Sequence, residues 1–123
     1  MEKTIVIDGK KVVFKTNGAI PMRYKAQFGK DYFKEILKML PLTKIKKKKK
    51  QDIDVEDLEV LDFEVFYNVA WVMAKTADPS TPEPLEWLSS FEEFPILEVF
   101  TDIQDLMNAT LQTSKKKLPP MMN

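Results

Sequence analysis

The chain contains neither cysteine nor histidine. Without cysteine there are no disulfides, no thiolate nucleophile and no sulfur ligands for a metal. Without histidine the commonest general base and the commonest transition-metal ligand are missing as well. Glycine occurs only three times in 123 residues, too sparsely for a phosphate-cradling loop, so Asp8-Gly9-Lys10-Lys11 reads as a turn. No apolar run approaches the ~20 residues of a membrane span, and MEKTIVIDGK is too short an apolar start for a signal peptide. The expectation is a cytoplasmic chain with no membrane partner. Neither sign of charge prevails, with 19 basic and 19 acidic residues, so no net field draws in nucleic acid or anionic lipid over distance. These absences together argue against an enzyme and against any cofactor or metal site.

What is present is ordinary for a globular domain: 44% hydrophobic and 31% charged residues. The length fits one domain with its own core, placed here at residues 1–113. The densest apolar stretch is Leu61–Asp78, LDFEVFYNVAWVMAKTAD, which has no Gly or Pro. It belongs to a long helix predicted over Val55–Thr76, capped by Asp54 and opened by Glu56, Asp57 and Glu59, the charge sign that suits a helix N-terminus. Val55, Leu58, Leu61, Val65, Val69 and Val72 trace one face at three- and four-residue spacing. Val60, Phe63, Tyr67, Trp71 and Ala74 widen that face until little polar surface is left, so this is the central helix of the fold.

Around it the pattern is mainly α, in an α+β sense, with an N-terminal β-hairpin followed by about five helices. Thr4–Ile7 and Val12–Phe14 are β-branched or aromatic runs joined by Asp8-Gly9, which supplies the positive φ of a tight hairpin turn. Pro21 opens a helix to Phe28 and Gly29 stops it. Asp31 caps Tyr32–Leu40, where Tyr32, Phe33, Ile36, Leu37 and Leu40 form an apolar stripe, and Pro41 ends it. A lysine-rich loop spans 43–52 and a proline-punctuated connector spans 78–84. Leu85–Phe91 reads as a short helix and Ile96–Leu111 as the last long one. Residues 114–123 are expected as a disordered tail.

Few residues carry candidate chemistry. Lys44 and Lys46–Lys50 would neutralise phosphates, but no aromatic is interleaved for base stacking. The acids Asp52, Asp54, Glu56 and Asp57 follow at once and compensate them, so a solvated loop is the preferred reading. Glu92, Glu93, Glu98, Asp102 and Asp105 match no calcium-loop pattern, and Ser89-Ser90 has no histidine to activate it. A partner surface is the remaining class. Trp87, Phe91 and Phe94 follow the proline connector on a short amphipathic element that either folds back or docks elsewhere. The hairpin edge bearing Ile5 and Ile7 is the second candidate, since an unpaired strand edge is a template for another chain. For both, packing in the chain's own core is the preferred reading, and they are the best candidates for a partner surface if there is one.

The phrases IDGKKVVFKT at 7–16, MRYKAQFGKDYFKEILKM at 22–39, LDFEVFYNVAWVMAKTAD at 61–78, PLEWLSSFEEFPI at 84–96 and IQDLMNATLQTSKKK at 103–117 resemble, in this order, the tail assembly chaperones of long-tailed bacteriophages and related prophages of Gram-positive hosts. The lysine loop falls outside the pattern. The resemblance implies a non-enzymatic protein that binds the tape measure protein, keeps that long helical chain soluble and helps recruit tail tube subunits to it. It implies synthesis in the cytoplasm of the infected host and absence from the finished virion. It also implies a programmed frameshift near the end of the gene, for which Lys115-Lys116-Lys117 would mark an A-rich codon run. The readings left beside it are a small nucleic-acid-binding protein using Lys44–Lys50 and a generic helical adaptor. Self-association is compatible with so apolar a central helix, and so is a monomer.

Overall fold

The structure, a computed structural model, describes residues 1–39 and 62–116, with side chains to Leu111. Among the described residues the elements run β1 (Glu2–Ile7), β2 (Lys10–Lys15), α1 (Ile20–Phe28), α2 (Tyr32–Leu37), α3 (Phe63–Ala77), α4 (Pro84–Ser89) and α5 (Ile96–Lys116). The expected mainly helical α+β fold with an N-terminal hairpin is what the chain adopts.

The local signals explain most boundaries. β1 and β2 pair antiparallel in the register Ile7 to Lys10, Ile5 to Val12 and Lys3 to Phe14. Their two-residue turn places Asp8 at φ 53° and Gly9 at φ 74°, the left-handed pair that matches the twist of the flanking strands. Pro21 lies in the first turn of α1, and Gly29 ends that helix at φ 70° with its N–H on the Lys25 carbonyl. The Asp31 carboxylate accepts from the N–H groups of Phe33 and Lys34 and so caps α2.

α2 stops at Leu37 and not at Leu40, α4 stops at Ser89 and not at Phe91, and two further boundaries differ from expectation. The central helix begins at Phe63 and not at Val55. Asp62 stands in an extended conformation, φ −105° and ψ 90°, and its carboxylate accepts from the Val65 N–H. A short acidic side chain that bonds the backbone locally competes with helix propagation and converts a continuous pattern into a start. Asp54, the lysine loop and residues 55–61 lie outside the described residues. At the other end α5 continues through Lys116, beyond the expected stop at Leu111 and into the expected tail. No Gly or Pro interrupts that stretch before Pro119.

α3 is the axis of the core. Val65, Phe66, Asn68 and every residue from Val69 to Ala74 are buried. Ile5, Ile7 and Phe14 of the hairpin's inner face are buried too, with β2 laid against α3 and β1 against α5. α1 packs on α3, where the Phe28 and Trp71 rings meet edge to face at 5.8 Å. Each large apolar side chain withdrawn from water this way contributes about 1.5–3 kcal/mol. No helix among the described residues is long and apolar enough to cross a membrane.

Candidate functional site

The five residues proposed to meet a partner are placed in the chain's own core. Ile5, Ile7, Trp87 and Phe91 are buried, and Phe94 is half-buried. The Trp87 ring stands 5.4 Å from Phe91, 5.7 Å from Phe94 and 6.4 Å from Phe14 of the hairpin. Phe94 in turn meets Phe66 at 6.3 Å and Tyr67 at 5.7 Å on α3. The α4 segment therefore folds back, its three rings meeting one another edge to face, while Leu85 on the same helix stays exposed. Lys10 closes the outside, its ammonium 5.4 Å above the Phe91 ring and donating to the Ser90 carbonyl. Ile5 and Ile7 point to the inner face of the hairpin and are not on an open surface.

The proline connector is tied down rather than loose. The Trp71 indole N–H donates to the Pro82 carbonyl at 2.7 Å. The Lys75 ammonium donates to the carbonyls of Pro79 and Thr81 at 2.7 and 2.8 Å. The Thr81 hydroxyl donates to the Ala74 carbonyl at 3.3 Å, one of the last carbonyls of α3. Asp78 accepts from the backbone N–H and the hydroxyl of Ser80, and these bonds hold its carboxyl below its ordinary range.

A buried polar group escaped the sequence reading. Glu35 of α2 is buried; it accepts from the Tyr24 hydroxyl at 3.1 Å and from the Lys38 ammonium at 2.9 Å, with Lys30 at 3.9 Å. Asn68 of α3 bonds Tyr24 in turn, while burial pushes the Tyr24 hydroxyl well above its ordinary value. Beside it the Tyr32 hydroxyl, pushed up to about 12 by burial, shares a hydrogen bond with Thr110 of α5. The signal was present: Glu35 falls three residues after Tyr32 and four before Met39, on the buried side of α2. Each polar atom has a partner, so the network joins α1, α2 and α3 without offering a vacant donor or acceptor. Among the described residues no group of three His, Cys, Asp or Glu is placed to hold a metal ion.

A small apolar hollow lies elsewhere. Ile36 of α2 and Met39 just after it line this hollow with Phe100, Met107 and Leu111 of α5, and with Gln104 and Asn108. The predicted stripe on α2 splits here. Tyr32 and Ile36 turn inward, whereas Phe33 and Leu37, one helical turn apart, are 37% and 59% exposed. Lys34 and Lys38 are exposed on the same helix. The hollow is thus lined by buried apolar side chains, and the exposed apolar positions of α2 are Phe33 and Leu37. Nothing in it can perform acid–base or nucleophilic chemistry, and what a partner could reach on α2 is the exposed pair Phe33 and Leu37.

Comparisons of this chain with family models, curated proteins and solved structures find no match.

Proposed function

We propose that the chain is a non-enzymatic tail assembly chaperone of a long-tailed bacteriophage or prophage, which binds the tape measure protein and helps bring tail tube subunits to it. The observation that carries this reading is the ordered set of resembling phrases, above all RYKAQFGKD and AWVMAKTAD at their present separation. In the fold the first phrase spans α1, the Gly29 stop and the Asp31 cap. The second forms the C-terminal half of α3. A helical client needs an apolar docking surface and no catalytic group. The exposed pair Phe33 and Leu37 on α2 supplies one against which an amphipathic client helix buries its stripe, with acidic residues of that helix meeting Lys34 and Lys38. On this reading the chain acts in the cytoplasm of the infected host and leaves before the virion is complete.

The test is co-expression with the tape measure protein encoded beside it, followed by measurement of soluble client and of complex on a sizing column. The wild-type chain is expected to raise the soluble fraction and co-elute. Leu37→Asp and Phe33→Asp alter exposed positions and are expected to keep the fold and weaken capture at least about tenfold, the cost of burying an unpaired charge in an apolar contact. A wild-type chain that neither solubilises nor binds this client overturns the reading.

A further inference from the structure

The hairpin supplies a second interaction surface, independent of Phe33 and Leu37 on α2. Met1 and Thr16 exchange backbone hydrogen bonds, Thr16 N–H to the Met1 carbonyl at 2.9 Å and the Met1 amine to the Thr16 carbonyl at 3.4 Å. Antiparallel strands alternate bonded and non-bonded pairs. With the observed register, Lys3 to Phe14, Ile5 to Val12 and Ile7 to Lys10 are therefore the bonded pairs. The backbone groups of Glu2, Thr4 and Val6 then point out of the β1 edge, and those of Lys11, Val13 and Lys15 out of the β2 edge. The described sheet has two strands only, so no third strand takes up either row.

The two edges are not equivalent. On β1 Glu2, Lys3, Thr4 and Val6 are all exposed, whereas on β2 Val12 and Lys15 are half-buried. Val6 is 64% exposed against 37% for its diagonal neighbour Val13. The charges differ as well. Two β2 edges paired antiparallel about Val13 would set Lys11 opposite Lys15 twice, and like charges directly opposite one another destabilise a ladder. Two β1 edges paired about Thr4 place Thr4 opposite Thr4 and Glu2 opposite Val6. The outer row across the four strands then reads Lys15, Glu2, Val6 of the second copy and Lys11 of the second copy, with no like charges adjacent. On the inner face Lys3 lies across from Ile5 of the second copy, and its alkyl stem covers that isoleucine.

We propose that β1 pairs with β1 of a second copy of this chain, antiparallel and centred on Thr4, to form a continuous four-stranded sheet across a two-fold axis. The contact is isologous and closes on itself, so it makes dimers and not fibres. The outer face then carries Val13, Thr4, Thr4 and Val13 as one β-branched row flanked by the two Val6 side chains.

The absence of cysteine makes the test direct. Thr4→Cys places two sulfurs across the axis at a bonded pair, where Cα atoms about 5.5 Å apart lie within disulfide range. Mild oxidation of the purified full chain is expected to convert Thr4→Cys to a covalent dimer and to leave Val13→Cys monomeric on a non-reducing gel. Thr4→Pro removes an outward N–H without touching the ladder within the hairpin, and proline is tolerated on an edge strand. Because the axis deletes two hydrogen bonds at once, self-association measured by sedimentation is expected to weaken about tenfold or more, with the helical circular dichroism retained. Val13→Pro, the matched change on the other edge, is expected to sediment like the wild type. The proposal is overturned by a wild-type chain that sediments as a monomer at tens of micromolar, by Val13→Cys cross-linking as fast as Thr4→Cys, or by a Thr4→Pro chain that stays dimeric. Each of these outcomes leaves client capture through α2 untouched, so the two readings fail separately.

Discussion

The aromatic end of the core and the methionine end finish in opposite ways. At the first, Trp87, Phe91 and Phe94 close over Phe14 and Phe66 in a chain of edge-to-face contacts capped by Lys10. At the second, Ile36, Met39 and Met107 are equally buried around a small hollow, while Phe33 and Leu37 on the other side of α2 stay exposed. Large flat rings with a quadrupole satisfy one another and seal a surface. Flexible thioethers and branched aliphatics make no such mutual geometry and remain adaptable to whatever lies on them. The residue types most often found in binding hot spots are here spent on the fold, and the plainer surface is the one left available.

That contrast can be broken at three points. The largest effect is expected at Trp87→Ala, which opens a cavity beneath three other rings and should cost about 3–5 kcal/mol of stability by chemical denaturation. A loss below about 1 kcal/mol would mean that the ring is a surface group and the contrast is false. Next is Glu35→Ala, which leaves the Tyr24 hydroxyl without its buried acceptor and is expected to cost about 1–3 kcal/mol. Lys38 is exposed and its ion pair with Glu35 is screened by water, so Lys38→Ala is expected to be the milder of the two changes. The smallest effect is expected at Leu37→Ser on the exposed side of α2, within about 0.5 kcal/mol in stability. A large destabilisation there would show that the open end is as much a part of the core as the closed one.

How much of this was legible depended on whether the physics was local. The Asp8-Gly9 turn, the Pro21 entry, the Gly29 stop and the Asp31 cap each act within four residues and stand where the sequence put them. The placement of Trp71 in the core followed from the density of apolar residues around it. The start of α3 did not, because a helix-compatible apolar period runs straight through Asp62. Only the competition between its carboxylate and the helix breaks it. The inward turn of Trp87, Phe91 and Phe94 was equally hidden. Their spacing fits folding back or docking outward, and the choice rests on Phe14 and Phe66, distant in sequence. Glu35 was hidden for the same reason, since its partner Tyr24 lies on another helix. The exposed pair had half a signal: the stripe on α2 was visible, but which of its members faced outward was set by α5.

The tip of the hairpin has a consequence in time. The Asp8 carboxylate accepts from the Glu92 N–H, and Lys10 reaches the Ser90 carbonyl, across 84 and 80 residues of chain. β1 and β2 are made before α3 and α5 and close within themselves in microseconds. Their inner face, with Ile5, Ile7 and Phe14, has nothing to rest on until α3 and α5 have been made. At ordinary rates of synthesis of about 5–20 residues per second, that face waits for seconds. An element that forms early is among the last to be covered, and the nascent chain spends that interval as an unguarded strand pair.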